Sequence, residues 1–521
     1  MRFRTLVLIF LLAELVSYTG YFFPAINTAG FFVTVAAALV LSLKRLEYGL
    51  YFVLAELILG GKSGALFSFE YGGFFLSLRM ALFIVIIAVW FAKMIGRKKL
   101  TIVSFLRQPS LRWWGILGIA VLWGIIVGLA RGNDFGNVFL DANGYFYAAL
   151  ILPVWWALKG ANYESVANSR ISNSEIRKSQ SNSQFAPLGT VFFAATTLLA
   201  LKTLFAVYLF THAGSNFIGA NLAPFYRWIR DTGVGEITWL PGNFARVFFQ
   251  SQIYNVMAFF AVLVILMRTP SHSPSERGRN WLQFPPLFKG RFGGVLILNT
   301  AVIIVSLSRS FWVGMIAGLL VVAVVSGRIG RIRHIGRLVG LLAGSAVAAV
   351  LLLLAFARFP FPKPAPADLG TAVQSRLEAG DAGQSRWNLL PAMWSTVREH
   401  PILGSGFGRT VTYISNDPRV REVSRTGEYT TYAFEWGWID VWVKMGLMGL
   451  IGLIGLMGRI GIMLYRRAKT DPRALAALAV LAVLASINIF TPYLNHPLGL
   501  GILILLAGIS IACQEKRLMV S

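Results

Sequence analysis

The chain has 521 residues, of which 56% are hydrophobic and 13% are charged, and its mean hydropathy is +0.65. Soluble domains carry about a quarter charged residues, so this composition excludes an ordinary soluble protein. The formal net charge is +26, but most Lys and Arg lie in short clusters between apolar runs. Cytoplasmic loops of membrane proteins show this distribution, which argues against a nucleic-acid partner.

Long apolar runs recur from one end of the chain to the other, and many approach the roughly 20 residues needed to cross a bilayer. A membrane β-barrel would instead show alternating segments of about 10 residues. The single cysteine, Cys513, excludes an intramolecular disulfide and a cysteine-based metal site. We therefore predict an all-α fold, a polytopic transmembrane helical bundle with about 14 spans.

The predicted spans follow the apolar runs in chain order. They cover about 5–22, 29–43, 46–60, 73–93, 113–130, 137–158, 187–210, 247–267, two short helices meeting at 306–310, 338–357, 437–464, 474–490 and 497–512. If the two short helices do not each cross, the count falls to 12 or 13. With both termini in the cytoplasm, every dense basic cluster lies on the cytoplasmic side.

Two basic linkers divide the N-terminal transmembrane part, 1–357. The linker at about 160–186 is rich in Ser and Asn, and its 168–184 stretch is interpreted as a disordered cytoplasmic loop. The second linker, 268–294, is basic and rich in Pro and Gly. After 357 we predict a large outward loop, 358–436, with short surface helices, and then C-terminal transmembrane helices in 437–521.

The large outward loop is rich in arginine, whose planar guanidinium matches the oxygens of a phosphate. Ordinary ion pairs explain most of these arginines, and one or two of them are anion-ligand candidates. Arg386, Trp387 and Trp394 are typical of an amphipathic helix on the membrane surface, which should end before Pro401. Gly404 and its neighbouring glycines then permit a tight turn.

Arg309 lies in a polar interruption of the apolar pattern at 306–310, far from any basic cluster. An arginine near the bilayer is costly and is a functional candidate by default. The alternative is that its side chain snorkels to the outer interface. Asp440 and Lys444 share a helix face, which favours a structural ion pair over the lining of a polar cavity.

Three motifs in this order resemble the O-antigen ligase and Wzy-type polymerase superfamily. They are SLSRSFWVG, SRWNLLPAMWSTVREHPILGSGFG and EWGWIDVWVKMGLMGLIGL, within about 295–460. The resemblance implies a membrane glycosyltransferase that moves or polymerises a glycan from an undecaprenyl-pyrophosphate carrier. It places the reaction, part of polysaccharide or lipopolysaccharide biosynthesis, on the outer face of the bacterial inner membrane. The implied acceptor is a lipid, a glycan or a protein, and no metal or other cofactor is expected.

The resemblance also assigns roles to individual residues. Arg309 and Arg386 match its motif arginines and are expected to stabilise the pyrophosphate leaving group. The family's histidine at the start of the helix after the large loop is replaced by Glu435, the candidate general base. The alternative is that Glu435 pairs with an arginine of the outward loop. The predicted substrate-binding residues are Ser308, Arg398, His400, Gly404, Gly406 and Arg409.

Two other functions stay open from the sequence. Charges within helices also suit a transporter of bicarbonate or another small solute. The absence of an internal repeat weakens that reading. The missing histidine also leaves room for a degenerate, non-catalytic member of the superfamily.

Overall fold

A computed structural model describes most of the chain. It covers residues 2–61, 66–95, 111–158, 174–214, 216–268, 292–327, 332–365, 367–378 and 381–518. The described residues are 78% helical and form 18 helices and three small hairpins, so the predicted all-α class is confirmed. Eleven helices in this part of the chain are long and apolar enough to cross a membrane, which makes the protein a multi-pass membrane protein.

The first eight helices lie in the N-terminal half. They are α1 (Phe3–Phe22), α2 (Pro24–Lys44), α3 (Leu46–Leu59), α4 (Leu78–Ile95), α5 (Arg112–Ala130), α6 (Phe135–Phe146), α7 (Ser174–Thr211) and α8 (Asn216–Asp231). A 3₁₀ turn, Tyr147–Leu150, extends α6, and the whole span is Phe135–Leu158.

The remaining ten helices follow the second hairpin. They are α9 (Ile253–Arg268), α10 (Phe292–Ser306), α11 (Arg309–Gly327), α12 (Ile332–Ala357), α13 (Leu369–Glu378), α14 (Asp381–Glu399), α15 (Pro418–Val423), α16 (Gly437–Ala468), α17 (Pro472–Phe490) and α18 (Pro497–Leu518). α10 and the Pro497–Ala512 part of α18 are shorter apolar helices.

Three antiparallel hairpins interrupt the helices. They are β1 (Ser68–Tyr71) with β2 (Phe74–Ser77), β3 (Gly235–Leu240) with β4 (Phe244–Phe249), and β5 (Val411–Ile414) with β6 (Glu428–Thr431). In the second hairpin Thr238 is paired with Arg246. None of the three hairpins was predicted from the sequence.

Two segments differ from the predictions. α7 begins at Ser174, inside the linker predicted at 160–186, and residues 159–173 of that linker lie outside the described residues. Extending an existing helix costs little because nucleation has already occurred, so polar residues can continue an apolar span. The segment between the predicted spans 187–210 and 247–267, which the sequence leaves without an assigned helix or strand, contains α8 and strand β3. Most of the second linker also lies outside the described residues.

Hydrogen bonds identify two ends of the bundle. At one end Arg268 donates to the carbonyls of Ala468 (2.5 Å) and Lys469 (3.4 Å), and Arg337 donates to Met267 O (3.4 Å). This end, where α9 and α16 finish, is called the basic end.

At the opposite end the chain after α12 is bound to α7 and to the β3–β4 turn. The imidazole of His212 shares a 2.8 Å hydrogen bond with the carbonyl of Phe359, Ala365 N donates to Thr211 O, and Asp368 N donates to Gly242 O. This end, called the loop end, carries the segment 358–436.

The segment 358–436 folds around a small apolar core of its own. The buried side chains of Leu389, Met393 and Val397 on α14 pack against Phe434 and Trp436, which precede α16. α14 ends at Glu399, before Pro401, as the sequence predicts. Short surface helices are thus present where the sequence places them, in α13, α14 and α15.

Candidate functional site

The break between α10 and α11 forms the centre of the candidate site. Leu307 has φ = +44°, which is uncommon for a residue other than glycine. Ser308 N donates to Ser306 Oγ (3.4 Å), and the hydroxyls of Ser308 and Ser310 lie 3.0 Å apart. These local bonds end one helix and begin the next, so Arg309 becomes the first residue of α11.

Two further arginines hold this break. Arg246, on β4, donates from Nε to Ser306 O at 2.8 Å, and Arg376, on α13, donates from Nε to Leu307 O at 3.3 Å. The side chain of Arg246 is 9% exposed, and its guanidinium lies 4.7 Å from the centre of the Phe248 ring. A hairpin and a surface helix therefore deliver guanidinium groups to the position of Arg309.

The electrostatic environment shows how close these groups are. The pKa of Arg246 is lowered to about 10, mainly by burial and then by the charge of Arg376. Arg386 and Arg309 contribute to this lowering, and the carboxylate of Glu236 opposes it. The pKa of Arg376 is also lowered, first by burial and then by Arg309 and Arg386. Like charges disfavour protonation of their neighbours, so these arginines share one electropositive site.

We call Arg246, Arg309, Arg376 and Arg386 the arginine cluster. In the described part of the chain, Arg246, Arg309 and Arg376 form no ion pair with a carboxylate. The carboxylate of Glu236 offsets part of their charge, but it is one anion against several partly buried cations, whose mutual repulsion destabilises the protein. Such an arrangement suits an anionic ligand with several oxygens, such as a phosphate or pyrophosphate.

Arg386 and Glu435 are direct partners, so the alternative given for Glu435, an ion pair with an arginine of the outward loop, is present in the structure. Arg386 Nε and Glu435 Oε2 lie 2.5 Å apart, and the two side chains are 39% and 47% exposed. Trp436 Nε1 donates to the carbonyl of Arg386 at 2.8 Å, which ties α14 to the start of α16. A carboxylate therefore lies beside the arginine cluster in a position that solvent or a substrate can reach.

Three other predicted residues lie apart from the cluster. Arg409 pairs with Glu399 at 3.2 Å, the guanidinium of Arg398 lies 5.9 Å from the ring centre of Trp394, and His400 is exposed. Among the residues described by the structure, none of their contacts reaches the arginine cluster. Ser308, by contrast, belongs to the break itself.

The predicted glycine turn is present but is packed within the protein. Gly404, Gly406 and Gly408 have φ of 74°, 84° and 76°, a region that favours glycine, and all three are buried. A Cβ on Gly406 would lie 2.2 Å from Gly128 N, and one on Gly404 would lie 2.4 Å from Gly446 N. The turn therefore touches α5 and α16 backbone to backbone.

The backbone donors of this turn also have partners within the protein. Ser405 N donates to Val443 O (2.5 Å), Phe407 N to Gly124 O (3.0 Å), and Gly408 N to Asp141 Oδ2 (3.0 Å). A phosphate cradle would need such N–H groups to point at the ligand. The geometry of Gly404 and Gly406 thus favours a packing role over contact with a substrate.

A buried ionic triad lies behind the turn. Lys444, with no exposed side-chain surface, pairs with Asp440 on its own helix and with Asp141 Oδ1 of α6 at 2.5 Å. Asn495 donates to Asp440 Oδ2 at 3.1 Å. The Asp440–Lys444 ion pair expected from the sequence is present, and Asp141 extends it to the glycine turn.

Sequence reasoning missed Arg246 and Asp141. Arg246 is a single basic residue just before an apolar run, which is also how an ordinary interfacial arginine looks. Asp141 was included in a predicted span and given no role, although an ionisable residue inside a span by itself indicates a functional or structural polar site. In the described residues, no group of three or more His, Cys, Asp or Glu side chains could hold a metal ion.

Comparison with known proteins locates the family resemblance. Residues 294–454 match the family model described as O-antigen ligase, which confirms the resemblance seen in the three motifs. The matched segment contains Arg309, Arg376, Arg386 and Glu435 and excludes Arg246. The curated proteins give no match to the chain. At the family level, the match supports an O-antigen ligase-like membrane glycosyltransferase and gives no support to a transporter.

Proposed function

We propose that this protein transfers a glycan from an undecaprenyl-pyrophosphate carrier to an acceptor at the loop end of the bundle, on the outer face of the inner membrane. The observation that carries this proposal is the convergence of four arginines on the break between α10 and α11. The family match at 294–454 supports glycosyl transfer as the reaction class. The basic end would then face the cytoplasm, as the positive-inside rule expects.

The arginine cluster is the proposed site of the pyrophosphate. When the bond between the sugar and the carrier breaks, its electron pair stays on the phosphate oxygen and negative charge grows there. Preorganised guanidinium groups stabilise this charge, and loss of one such donor typically lowers a rate about 10²–10³-fold. Arg246 and Arg376 are held by the carbonyls of Ser306 and Leu307, so little reorganisation is needed.

Glu435 is the proposed general base. Its carboxylate takes the proton of an acceptor hydroxyl while the hydroxyl oxygen forms a bond to the anomeric carbon and the pyrophosphate leaves. The ion pair with Arg386 suggests that the donor binds before the acceptor is activated. If Arg386 turns to the donor phosphate, the carboxylate of Glu435 loses its partner and becomes available to the acceptor.

The other predicted substrate-binding residues take different positions in this proposal. Ser308 lies next to Arg309 and is proposed to contact the donor phosphate. Arg398, His400 and Arg409 lie on the outer segment, where they are proposed to contact a more distant part of the glycan. For Gly404 and Gly406 we propose an indirect role, the placement of α14 and hence of Arg386.

Complementation of a deletion strain tests the site in the cell. The strain would receive wild-type protein or Arg246→Met, Arg386→Ala or Glu435→Gln, and its surface glycans would be examined by gel electrophoresis. Arg425→Ala is the matched control, because Arg425 is an exposed arginine of the same outer segment. We expect loss of glycan with the three site variants only. Full glycan with all three, at normal protein levels, would overturn the assignment.

Transfer by purified protein tests the reaction itself. A glycan on undecaprenyl pyrophosphate would be incubated with the protein in vesicles, with lipid, glycan or protein acceptors offered separately. Transfer to a second carrier-linked glycan identifies a polymerase, and transfer to a different acceptor identifies a ligase. We expect activity to persist with a metal chelator. Its complete loss, restored by added Mg²⁺, would contradict the proposed role of the arginines.

A further inference from the structure

An apolar cavity lies away from the arginine cluster. Its volume is about 300 Å³, at the lower end of the range of small-molecule sites. It is enclosed by α3, the end of the Phe135–Leu158 span, α7, α9, α17 and α18. Its walls include Leu54, Phe193, Ile504 and Leu505. Among the described residues that line it, only Glu47, Tyr51, Tyr147 and Arg473 have polar side chains.

The cavity extends from the basic end into the middle of the bundle. At the basic end it is lined by the first residues of α3 and α17, Glu47 and Pro472 among them, and by residues near the ends of α9 and α18, such as Ile265 and Ala512. Leu57 of α3 and Gly501 of α18 line its deeper part. The ends of α9 and α16 meet at the basic end through Arg268. One end of the cavity therefore lies in the leaflet at the basic end, and the arginine cluster lies at the opposite end of the bundle.

The lining determines what can occupy this space. Protein interiors are close-packed, and an apolar cavity of this size stays dry and takes up apolar ligands. Several lining residues, including Leu50, Val154, Met257 and Leu505, are only half-buried, so the space reaches the protein surface. A membrane supplies hydrocarbon chains at this depth. Basic side chains at a membrane surface attract anionic headgroups.

We propose that the cavity binds one acyl chain of an anionic phospholipid from the leaflet at the basic end. The acyl chain fills the space between α3, α7 and α18, and the headgroup stays at the level of Lys44, Arg268 and Lys469. This lipid is distinct from a carrier-linked donor, whose pyrophosphate would lie at the opposite end. It joins helices of the N-terminal and C-terminal parts of the bundle.

Photo-crosslinking tests which lipid occupies the cavity. The full-length protein would be reconstituted in vesicles containing phosphatidylglycerol with a diazirine in one acyl chain, and labelled residues would be mapped by mass spectrometry. We expect labels on α3, α7 and α18 at lining residues such as Leu54, Phe193 and Ile504. The same acyl chain on phosphatidylcholine should label these residues less strongly. Equal labelling by the two lipids would overturn the choice of an anionic headgroup.

A substitution that fills the cavity tests whether the lipid binds there. A Cβ on Gly508 would lie 3.8 Å from Val154 and 3.9 Å from Leu158, an ordinary contact, so Gly508→Leu puts its side chain into the cavity without a clash. Gly458→Leu is the matched control, since Gly458 is exposed and its Cβ would meet nothing within 4 Å. We expect cavity labelling to fall at least fivefold in Gly508→Leu and to stay unchanged in Gly458→Leu.

Two results would overturn the proposal. One is equal cavity labelling in Gly508→Leu and wild type, and the other is displacement of the label by an equal amount of a long-chain polyprenyl phosphate. If Gly508→Leu does not give a monodisperse protein, Ala261→Phe tests the same space from α9, with Ala36→Phe on the exposed face of α2 as its control. Unchanged labelling in Ala261→Phe would equally refute the site.

Discussion

Replacing Gly406 with alanine should destabilise the protein far more than replacing a glycine in an open turn. Gly406 has φ = 84°, and left-handed backbone costs a residue with a Cβ about 1–2 kcal/mol. The new Cβ would also lie 2.2 Å from Gly128 N and 2.3 Å from Gly128 Cα. Both atoms belong to the backbone of α5, which cannot move aside as a side chain can. Overpacking of this kind adds about 1–3 kcal/mol, so the total is about 2–5 kcal/mol.

Gly72→Ala measures the cost of the left-handed backbone alone, without the close contact. Gly72 also has positive φ (56°), but its Cβ would meet nothing within 4 Å, so we expect a loss of only about 1–2 kcal/mol. Both variants would be heated in detergent, and the folded fraction would be followed by size-exclusion chromatography of a fluorescent fusion. The midpoint temperature of thermal unfolding should fall clearly further for Gly406→Ala than for Gly72→Ala. Equal midpoints for the two variants would refute the backbone-to-backbone packing inferred for the turn.

Three further predictions concern the buried charges. Lys444→Met leaves Asp141 and Asp440 without their cation, which should cost about 3–5 kcal/mol in the same thermal assay; wild-type stability would contradict the triad. Pyrophosphate at 100 times its Kd should stabilise the wild type by about 2.7 kcal/mol, and Arg246→Met should lose most of this gain. Pyrophosphate binding, followed by calorimetry, should weaken as pH rises through about 10, where Arg246 loses its proton. The stability of the ligand-free protein should change in the opposite direction. The folded pKa of Arg246 lies below its ordinary value, so the free energy of unfolding should rise as pH increases above about 10. A pH dependence of binding that is identical in Arg246→Met would exclude Arg246 as its source.

Hydrophobic runs located the eleven long apolar helices of the described residues, because burial in a bilayer acts on each segment separately. The predicted spans at 46–60 and 497–512 correspond to α3 and α18, and neither is among these eleven. The polar interruption at 306–310 likewise predicted the break between α10 and α11. The hairpins were missed because an apolar run can also belong to a short strand. Phe74, Phe75 and Leu76 are apolar and were taken as the start of a span, although they form strand β2 after the Gly72–Gly73 turn. Periodicity cannot separate so short a strand from the first turn of an apolar helix.

The candidate site was predictable only in part because its residues meet through tertiary structure. Arg309, Arg386 and Glu435 were singled out by motif resemblance, but the sequence does not show which arginine of the outward loop lies beside Glu435. Arg386 is 49 positions away along the chain. Arg246 lies on a hairpin that was not predicted, and its role depends on a hydrogen bond to Ser306 O. The glycine turn was predicted as a turn, but the backbone contact of Gly406 with α5 becomes visible only in three dimensions.

The structure connects the glycine turn to the arginine cluster through one helix. α14 carries Arg386 near its start and ends at Glu399, immediately before the turn. The turn is fixed by Gly128 of α5 and by the kink at Gly446 of α16, and the Asp141–Lys444 contact holds the surrounding helices. A rigid support of this kind keeps a guanidinium in place before charge develops, which is the condition for electrostatic catalysis without reorganisation. We therefore expect substitutions in the turn to impair the proposed glycan transfer by displacing Arg386.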